Sequence, residues 1–356
     1  MAKGASVRAI FSILIQAGLK STGSASISTI MRIVFHGENA ASFSHDFQRL
    51  VGEAAQISVL PDVLSHPADS QTYVAADVIV GATFSGALPQ PRQLQLFHVP
   101  GAGYDAVDLE AIPASAVVCN CFGHEQAIAE YVMAALLERH VPLADADRQL
   151  RQGNWTYTSG SPDRVHGELA EKTIGLLGFG HIGKAIAARA KAFEMKVHVA
   201  NRSPVPASPL VDRSFALNSL AEFWSSADFF VVSVPSNAET VGMVNAGSFA
   251  AMREAAVILN VGRGPTIDER SLYEALKTRR IAGAVIDTWY TYPSPGHPSA
   301  LPSKFPFHEL PNVVMTPHMS GWTTGTINRR RLTIADNIGR RAAGRPCVNV
   351  VRPARA

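Results

Sequence analysis

The sequence is poor in cysteine, in net charge and in long apolar runs, and each shortage argues against a class of protein. Its three cysteines, Cys119, Cys121 and Cys347, are too few and too irregularly spaced for a disulfide framework or a four-ligand zinc site. No His, Asp or Glu cluster has the spacing of metal ligands, so we expect no metal. No stretch reaches about 18 uncharged apolar residues, so we expect no membrane partner. A net charge of +3, with Arg329–Arg331 as its basic run, argues against nucleic acid as a partner. We expect a cytoplasmic protein.

Residues 1–30 differ in composition from the rest of the chain. They contain basic but no acidic residues, and their apolar piece, Ala9–Ile15, is too short for a membrane helix. The alternatives are a vestigial targeting segment, a signal-like sequence, and an upstream start codon ahead of the true one at Met31. We favour the last, and we expect residues 1–30 to be disordered or to precede the true start.

The rest of the sequence has the pattern of two α/β domains. The chain has 356 residues, 47% hydrophobic and 17% charged, which is the composition of a globular protein large enough for two cores. Short Val- and Ile-rich runs alternate with polar or helical stretches, as in parallel sheets with crossover helices. We therefore predict an α/β fold with two Rossmann-like or flavodoxin-like domains. The predicted bounds are residues 31–125, residues 126–320, and residues 321–350 for a C-terminal helix that returns to the first domain.

The predicted strands form two series. The first series is Arg32–Gly37, Gln56–Pro61, Asp77–Ala82, Gln95–Pro100 and Val117–Cys121, and a helix over Gln126–His140 leads out of it. The second series is Thr173–Phe179, Lys196–Asn201, Phe229–Val234, Ala256–Val261, Gly283–Thr288 and Val313–Thr316. Six strands already complete the second sheet, so a last helix, roughly Gly325–Ala343, is expected to return to the first domain.

A glycine-rich turn follows the first strand of the second series. Its glycines follow a predicted strand and open an amphipathic helix, which is the context of a dinucleotide-binding fingerprint. The first glycine permits the tight turn, the second lets the backbone approach a pyrophosphate, and the third lets helix and strand pack closely. The amides at the helix start then face the phosphates. We expect a nicotinamide dinucleotide here, held by Gly178, Gly180, His181, Ile182 and Gly183.

The end of the next strand indicates which dinucleotide is preferred. NAD-preferring sites place an Asp or Glu there, on the ribose 2′-hydroxyl, whereas this sequence has Asn201. Loss of the carboxylate removes repulsion against a 2′-phosphate, to which Arg202 and Ser203 can donate hydrogen bonds. We therefore predict NADP(H) in preference to NAD(H). The alternative is that Arg202 is solvated or only stacks on the adenine.

Three chemically active residues lie at or just after the ends of predicted strands of the second domain. They are Arg263, Asp287 and His318. Ligands gather at the carboxyl ends of strands in open α/β sheets, so we expect the three side chains to converge on one cleft. A guanidinium offers two parallel N–H donors to a carboxylate or carbonyl, which makes Arg263 a candidate substrate clamp.

From about Gly101 to Trp322 the chain resembles the D-isomer-specific 2-hydroxyacid dehydrogenase family. Besides the glycine fingerprint, several separate motifs occur in the family's order. They are Gly101-Ala102-Gly103-Tyr104-Asp105, Ala129-Glu130, Gly153-Asn154-Trp155, Gly167-Glu168-Leu169, Val234-Pro235, Asn260–Glu269, Gly283–Asp287 and Leu310–His318. The resemblance implies a discontinuous substrate domain into which the cofactor domain is inserted, and a homodimer.

The resemblance also implies roles for single residues. His318 would be the general acid that protonates the carbonyl oxygen during reduction, and the base in the reverse direction. Arg263 would hold and polarise a 2-oxo acid, and the backbone amides near Ala102 and Gly103 would bind its carboxylate. Asp287 would accept a hydrogen bond from the cofactor's carboxamide. Further cofactor contacts are expected at Val234, Pro235, Val261 and Gly321.

One position departs from the family's pattern. The family has a Glu that pairs with the His, five residues after the Asp, but Tyr292 occupies this position here. A neutral phenol can hydrogen-bond, but it does not raise the imidazole pKa as a carboxylate does. We expect Tyr292 to orient His318 or to touch a larger substrate. The alternative is that Tyr292 fills space and that His308, Glu309 or Glu125 lies near the imidazole.

These features favour an NAD(P)H-dependent reductase of a 2-oxo acid, of the glyoxylate or hydroxypyruvate type or acting on a bulkier acid. Oxidation of a small anion such as formate or phosphite is the first alternative, because the formate dehydrogenase branch of the family also lacks this Glu. A nucleotide-sensing regulator of the corepressor kind is the second. His124 and Glu125 either line the mouth of the pocket or cap the helix that follows them.

Overall fold

The computed structural model describes residues 30–294 and 299–355, so the expectations for residues 1–29 lie outside the described residues. The chain folds into two compact units. Among the described residues, the first contains residues 30–123 and 324–355, and the second contains residues from 124 to 323. Each unit is built on one sheet whose strands are mostly parallel, which confirms the predicted α/β class.

The secondary structure alternates along most of the chain. The strands are β1 (Met31–His36), β2 (Ala55–Leu60), β3 (Val78–Gly81), β4 (Leu96–His98), β5 (Val117–Cys119), β6 (Thr173–Leu177), β7 (Lys196–Asn201), β8 (Arg213–Ala216), β9 (Phe229–Val232), β10 (Val257–Asn260), β11 (Gly283–Ile286), β12 (Val313–Met315) and β13 (Val350–Arg352). The α-helices are α1 (Glu38–Ala41), α2 (Gln48–Val51), α3 (Pro67–Val74), α4 (Glu125–His140), α5 (Leu143–Arg151), α6 (His181–Ala192), α7 (Leu220–Ser225), α8 (Ala246–Ala251), α9 (Glu269–Lys277) and α10 (Thr324–Ala342). Short 3₁₀ helices cover Pro162–Arg164, Leu217–Ser219, Gly264–Thr266 and Phe307–Glu309.

The sheet of the first unit has the order β13-β5-β4-β3-β1-β2. Its first five strands along the chain are parallel, and successive residues of β1 are buried because both faces of the sheet are covered. Helix α10 packs Ile334, Ala335 and Ile338 into the same apolar cluster as Ile33 and Phe35, so it forms part of this unit. The prediction of a parallel sheet is wrong for one strand, because β13 pairs with β5 in antiparallel orientation.

The sheet of the second unit has the order β12-β11-β10-β9-β6-β7-β8. An apolar core covers each face of this sheet. Successive side chains of a strand point to opposite faces, so Phe229 and Val231 belong to one core and Phe230 and Val232 to the other. Strand order reverses between β6 and β9, and a crevice at the carboxyl ends of such strands is where open α/β sheets bind ligands.

The prediction that six strands complete this second sheet is wrong, because β8 adds a seventh at its edge. Only Phe215 is buried among the four residues of β8. An edge strand exposed along much of its length has no need of a continuous apolar run, which is the signal that identified the other strands.

Candidate functional site

The glycine-rich turn connects β6 to α6, beside the point where strand order reverses. Gly178 has a φ of +100°, a conformation that L side chains rarely adopt, and a Cβ there would lie 3.1 Å from Val234 Cγ1. A Cβ on Gly183 would overlap the carbonyl oxygen of Gly178. The turn is therefore accessible only to glycine at these two positions, and it brings the start of α6 against the end of β6.

The start of α6 leaves space for a phosphate group. Gly180 is its N-cap and contributes no capping side chain. Among the described residues outside its own helix and chain neighbours, no atom lies within 4 Å of a Cβ placed on Gly180. First-turn amides lack carbonyl partners within their helix and form the positive end of its dipole. Gly180, His181 and Ile182 therefore fit the pyrophosphate of a dinucleotide.

Asn201 lies at the end of β7 and connects the glycine turn to the chain that follows this strand. Its Oδ1 accepts a hydrogen bond from the Phe179 amide at 3.3 Å, and its Nδ2 donates to the Ser203 carbonyl at 2.9 Å. Arg202 and Ser203 are exposed next to it. No carboxylate stands at this strand end, so the neighbourhood of the turn is neutral to basic.

The loop after β10 carries Arg263, and a buried amide shapes this loop. Asn260 accepts from the Gly262 amide at 3.2 Å and donates to the Arg263 carbonyl at 3.0 Å. A Cβ on Gly262 would lie 2.8 Å from the Val234 carbonyl oxygen, so the loop after β10 packs directly against the loop after β9. Arg263 is half-buried, with its Nη1 donating to the Gly262 carbonyl at 2.9 Å. The buried Asn260 thus fixes the backbone of the loop from which the Arg263 side chain extends.

Asp287 follows β11 and organises the segment that carries His318. It is 0% exposed. Its Oδ1 accepts from Thr316 Oγ1 at 2.6 Å and from the Met319 amide at 2.8 Å, and its Oδ2 accepts from the Ser320 amide at 3.0 Å. These are charge-assisted hydrogen bonds, the stronger kind. Since Asp287 holds the chain on both sides of His318, it fixes where the imidazole lies.

The hydroxyl of Thr316 connects Asp287 to a helix of the same unit. Thr316 donates its single proton to Asp287, so the 2.7 Å hydrogen bond between Thr316 Oγ1 and Tyr131 Oη must have the phenol as donor. Trp289 Nε1 also donates to the Thr316 carbonyl, at 2.8 Å. The sequence contains no signal for these contacts: Tyr131 joins a helix to the loop after β12, and Trp289 joins the loop after β11 to the same loop.

Tyr292 is the hydrogen-bond partner of His318. Its Oη lies 3.0 Å from His318 Nδ1, and the two rings are 5.7 Å apart between centroids. The Trp289 amide donates to the same Oη at 3.1 Å. The Trp289 amide occupies one lone pair of Oη, and the phenol proton is free to point at His318 Nδ1. A neutral imidazole that accepts this proton at Nδ1 carries its own proton on Nε2. An imidazolium can donate from Nδ1 to Oη instead, so Tyr292 accommodates both charge states.

The electrostatics of this pair differ from those of a His–carboxylate pair. Burial lowers the pKa of His318 below its ordinary value, Asp287 opposes this shift, and Arg263 adds to it. Burial raises the pKa of Tyr292, so the phenol is neutral near pH 7. His318 also has a φ of 59°, in the left-handed region, a strained conformation of the kind found at functional sites.

The structure thus brings Arg263, Asp287, Tyr292 and His318 together at the carboxyl edge of the second sheet. Among the residues considered as alternative partners of the imidazole, His308 and Glu309 lie beside each other, with 3.9 Å between Nε2 and Oε1, and Glu125 Oε2 lies 3.8 Å from His124 Nδ1. His124 is the N-cap residue of α4, but its side chain makes no capping hydrogen bond. The idea that these side chains cap the helix is therefore wrong for His124.

The remaining predicted residues lie as follows. Ala102 and Gly103 are in the loop after β4 in the first unit, where the Ala102 carbonyl accepts from Asn120 Nδ2 at 2.8 Å. Their role toward a substrate carboxylate stays a prediction. In the second unit, Pro235 lies beside Val234 after β9 and accepts from Thr240 Oγ1 at 2.6 Å, Val261 is buried after β10, and Gly321 approaches His124 and Ile128.

The described residues contain neither a candidate metal cluster nor a candidate membrane helix. Within residues 30–294 and 299–355, no group of three or more His, Cys, Asp or Glu side chains is arranged to hold a metal ion. In the same part of the chain, no helix has both the length and the apolar character needed to cross a membrane.

Sequence comparison relates the chain to dehydrogenases. The family model described as "D-isomer specific 2-hydroxyacid dehydrogenase, NAD binding domain" matches residues 133–320. The chain is 32% identical over 292 residues to the D-3-phosphoglycerate dehydrogenase of Archaeoglobus fulgidus. The aligned region covers 79% of this chain and 50% of that enzyme. It is 29% identical over 295 residues to the glyoxylate/hydroxypyruvate reductase B of Citrobacter koseri, with coverages of 80% and 87%. The chain spans about half the length of the phosphoglycerate dehydrogenases that it matches.

Structure comparison gives the same relationship. The NADPH-dependent glyoxylate/hydroxypyruvate reductase of Sinorhizobium meliloti, solved with NADP and malonate, superimposes with a TM-score of 0.70 at 25% sequence identity. The match covers 92% of this chain and 99% of that one. The similarity therefore extends over both units and beyond the residues that the family model matches.

Proposed function

Because the chain belongs to the D-isomer specific 2-hydroxyacid dehydrogenase family, we propose that it is an oxidoreductase that transfers a hydride between a nicotinamide dinucleotide and a 2-oxo or 2-hydroxy acid. The observation that carries the proposal is the grouping of Arg263, Asp287 and His318 at the sheet edge beside a glycine turn that fits a pyrophosphate. A cation, a proton carrier and a phosphate cradle are what reduction of an anionic carbonyl compound requires.

Each residue has a chemical role in this proposal. Bound nicotinamide supplies or receives the hydride. Arg263 binds the substrate's carboxylate or carbonyl through its fork of N–H donors and polarises the carbonyl. His318, as imidazolium, gives the proton on Nε2 to the substrate oxygen during reduction and takes it back during oxidation. Tyr292 holds Nδ1 in both states, and Asp287 holds the segment on which His318 lies.

NADP(H) is the proposed cofactor in preference to NAD(H). Asn201 ends β7 with a neutral amide, and the exposed side chains of Arg202 and Ser203 follow it. A 2′-phosphate at this place would meet no carboxylate on the strand end and would have a guanidinium and a hydroxyl within its neighbourhood. The reductase from Sinorhizobium meliloti is a protein of this fold that is NADPH-dependent.

The proposed substrate is a 2-oxo acid of the glyoxylate or hydroxypyruvate type, or a bulkier acid. The neutral Tyr292 in place of a carboxylate favours a second candidate, the oxidation of a small anion such as formate or phosphite. Formate loses its hydride to give carbon dioxide, so no proton has to move to or from an oxygen of that substrate. A third candidate is a nucleotide sensor with little turnover. The three differ in a simple way: whether a 2-oxo acid is reduced, a small anion is oxidised, or the cofactor is bound without turnover.

We further propose a homodimer that acts in the cytoplasm. The second unit exposes an apolar segment in α5 and the loop after it, where Leu143 is 74% exposed, Trp155 is 70% exposed and Val165 is 83% exposed. Exposed apolar side chains so close together in a chain are typical of an interface, and a second copy would cover them.

Light scattering should then give a dimer mass for the wild type and a monomer mass for Trp155→Asp. The matched control is Val63→Asp, which changes an exposed apolar residue of the first unit. A wild-type monomer would refute the dimer.

The decisive experiment measures oxidation of NADPH and of NADH side by side. The panel contains glyoxylate, hydroxypyruvate, pyruvate, phenylpyruvate and 3-phosphohydroxypyruvate, between about pH 5 and 9. We expect turnover with NADPH that His318→Ala abolishes and that His308→Ala, a control at a histidine paired with Glu309, leaves unchanged. Cofactor binding without reduction of any acid would refute the reductase, and assays with formate and phosphite would then separate the other two candidates.

A further inference from the structure

Two cysteines that are far apart in the sequence meet in the first unit. Cys119 lies on β5 and is fully buried. The antiparallel strand β13 pairs Val350 with Cys119, and the Asn120 amide donates to the Asn349 carbonyl at 3.1 Å. This pairing runs the residues just before β13 alongside those just after β5. Cys347 packs against the apolar cluster that contains Cys119.

The segment that carries Cys347 is held firmly. Asn337 of α10 accepts from the Val348 amide at 2.8 Å and donates to the Val348 carbonyl at 3.0 Å. Cys347 Sγ lies 3.8 Å from the Asn337 carbonyl oxygen. Because one side chain of α10 holds both main-chain groups of the next residue, the backbone at Cys347 has a fixed position against this helix.

The two thiols are chemically unequal. The Cys119 thiol donates a hydrogen bond to Cys347, which lowers the pKa of Cys347. Burial works against this shift, Arg341 and Arg340 add to it, and Asp336 opposes it. The same hydrogen bond, together with burial, raises the pKa of Cys119. Cys347 is only half-buried, so the thiol that ionises more easily is also the one that a reagent can reach.

We propose that Cys347 is an oxidation site that forms a disulfide with Cys119. The Cys347 thiolate attacks a hydroperoxide, the O–O bond breaks, and the alkoxide or hydroxide that leaves takes up a proton. This step gives a sulfenic acid on Cys347. The Cys119 thiol then attacks that sulfur, the S–O bond breaks, and water leaves. Two thiols lose two electrons and two protons in total, and one hydroperoxide becomes an alcohol, or water, and a second water.

The third cysteine provides a control within the same unit. Cys121 is also fully buried, and its Sγ lies 3.8 Å from the Arg330 carbonyl oxygen and 3.9 Å from His98 Nδ1. Burial raises its pKa to about 12. Because it is fully buried and its thiolate is disfavoured, Cys121 is not expected to be the thiol that peroxide attacks.

The test treats the full-length protein with one equivalent of hydrogen peroxide and then alkylates it under denaturing conditions. We expect the intact mass to fall by two hydrogens, one of the three cysteines to be alkylated, and peptide mapping to join Cys119 to Cys347. A link across such a long loop should raise the melting temperature by about 5 °C or more, and dithiothreitol should reverse the increase. These results do not depend on the proposed enzymatic activity.

Two variants make the outcome decisive. Cys347→Ser should abolish both the mass change and the rise in melting temperature, whereas Cys121→Ser should keep both. If one variant fails to fold, peptide mapping of the wild type still decides. The proposal is overturned if all three thiols remain alkylatable after peroxide, if the disulfide contains Cys121, or if Cys347 is oxidised to a sulfinic acid while Cys119 stays free.

Discussion

The Tyr292–His318 pair predicts what a carboxylate at residue 292 would do to the pH dependence of catalysis. Burial lowers the pKa of His318 below its ordinary value of 6.5, and reduction requires the imidazolium. The rate of reduction should therefore fall as pH rises through this lowered pKa. In Tyr292→Glu the negative charge favours the imidazolium, so the fall in rate should move to higher pH.

The size of the shift follows from the geometry. Tyr292 Oη lies 3.0 Å from His318 Nδ1. A Glu side chain is shorter, so its carboxylate would lie at roughly 4 Å, where two charges interact by about 4 kcal/mol at an effective dielectric constant of about 20. That energy corresponds to about 3 pKa units. Tyr292 is 46% exposed, so solvent screening should reduce the shift to about 1–2 units.

The assay is kcat/KM for 2-oxo acid reduction, measured between about pH 5 and 9 for the wild type, Tyr292→Glu and Tyr292→Phe. Tyr292→Phe keeps the ring but removes the partner of His318 Nδ1 and of the Trp289 amide. It should lose about 3- to 10-fold in kcat/KM without an upward shift of the midpoint. An active, folded Tyr292→Glu enzyme with the wild-type midpoint would refute the view that Tyr292 acts on His318.

Three further predictions concern other residues of the second unit. Arg263→Lys should lower kcat/KM by about 100-fold, because an ammonium lacks the fork of donors, and steady-state kinetics with saturating cofactor will measure the loss. Asn201→Asp should lower the NADPH-to-NADH ratio of kcat/KM by about tenfold or more through repulsion of a 2′-phosphate, and an unchanged ratio would contradict our view of the strand end. Because His318 has a φ of 59°, His318→Gly should be more stable than His318→Ala by about 1 kcal/mol in thermal unfolding, although both variants are inactive.

The interior of both sheets could be predicted from sequence because it follows a simple pattern. Strand β7, Lys196–Asn201, coincides with its predicted bounds. Its Val197 and Val199 enter one apolar core and Ala200 enters the other, so burial on both faces leaves a compact apolar run. The glycine turn was predictable for a similar reason, since steric limits at Gly178 and Gly183 allow no other residue.

The edges of the sheets were not predictable in this way. Strand β8 has one buried residue in four, and β13 has one in three, so neither shows the apolar pattern of an interior strand. Both strands exist because a neighbouring strand offers free hydrogen-bonding groups, as β5 does to β13. The partner of an edge strand is a tertiary feature, and local sequence carries little information about it.

The site was predictable in its members but not in their contacts. Strand ends and family resemblance pointed to Arg263, Asp287 and His318, whereas the Tyr292 pairing was one of several alternatives. The structure shows the Tyr292–His318 hydrogen bond, which local sequence could not reveal because Tyr292 lies 26 residues before His318 and meets it through the loops after β11 and β12. The donors to Asp287 include two backbone amides, which any residue would supply, so side-chain identity could not reveal them.

The discontinuous first unit has a consequence for synthesis of the protein on the ribosome. Its strands β1 to β5 emerge early, but α10 and β13, which cover its core and its β5 edge, are translated only after residues 124–323. At about 5–20 residues per second, the intervening stretch of about 200 residues takes on the order of 10–40 seconds. During that interval β5 offers a bare edge to other nascent chains. The second unit can fold meanwhile, so the part of the protein translated first is the last to be completed.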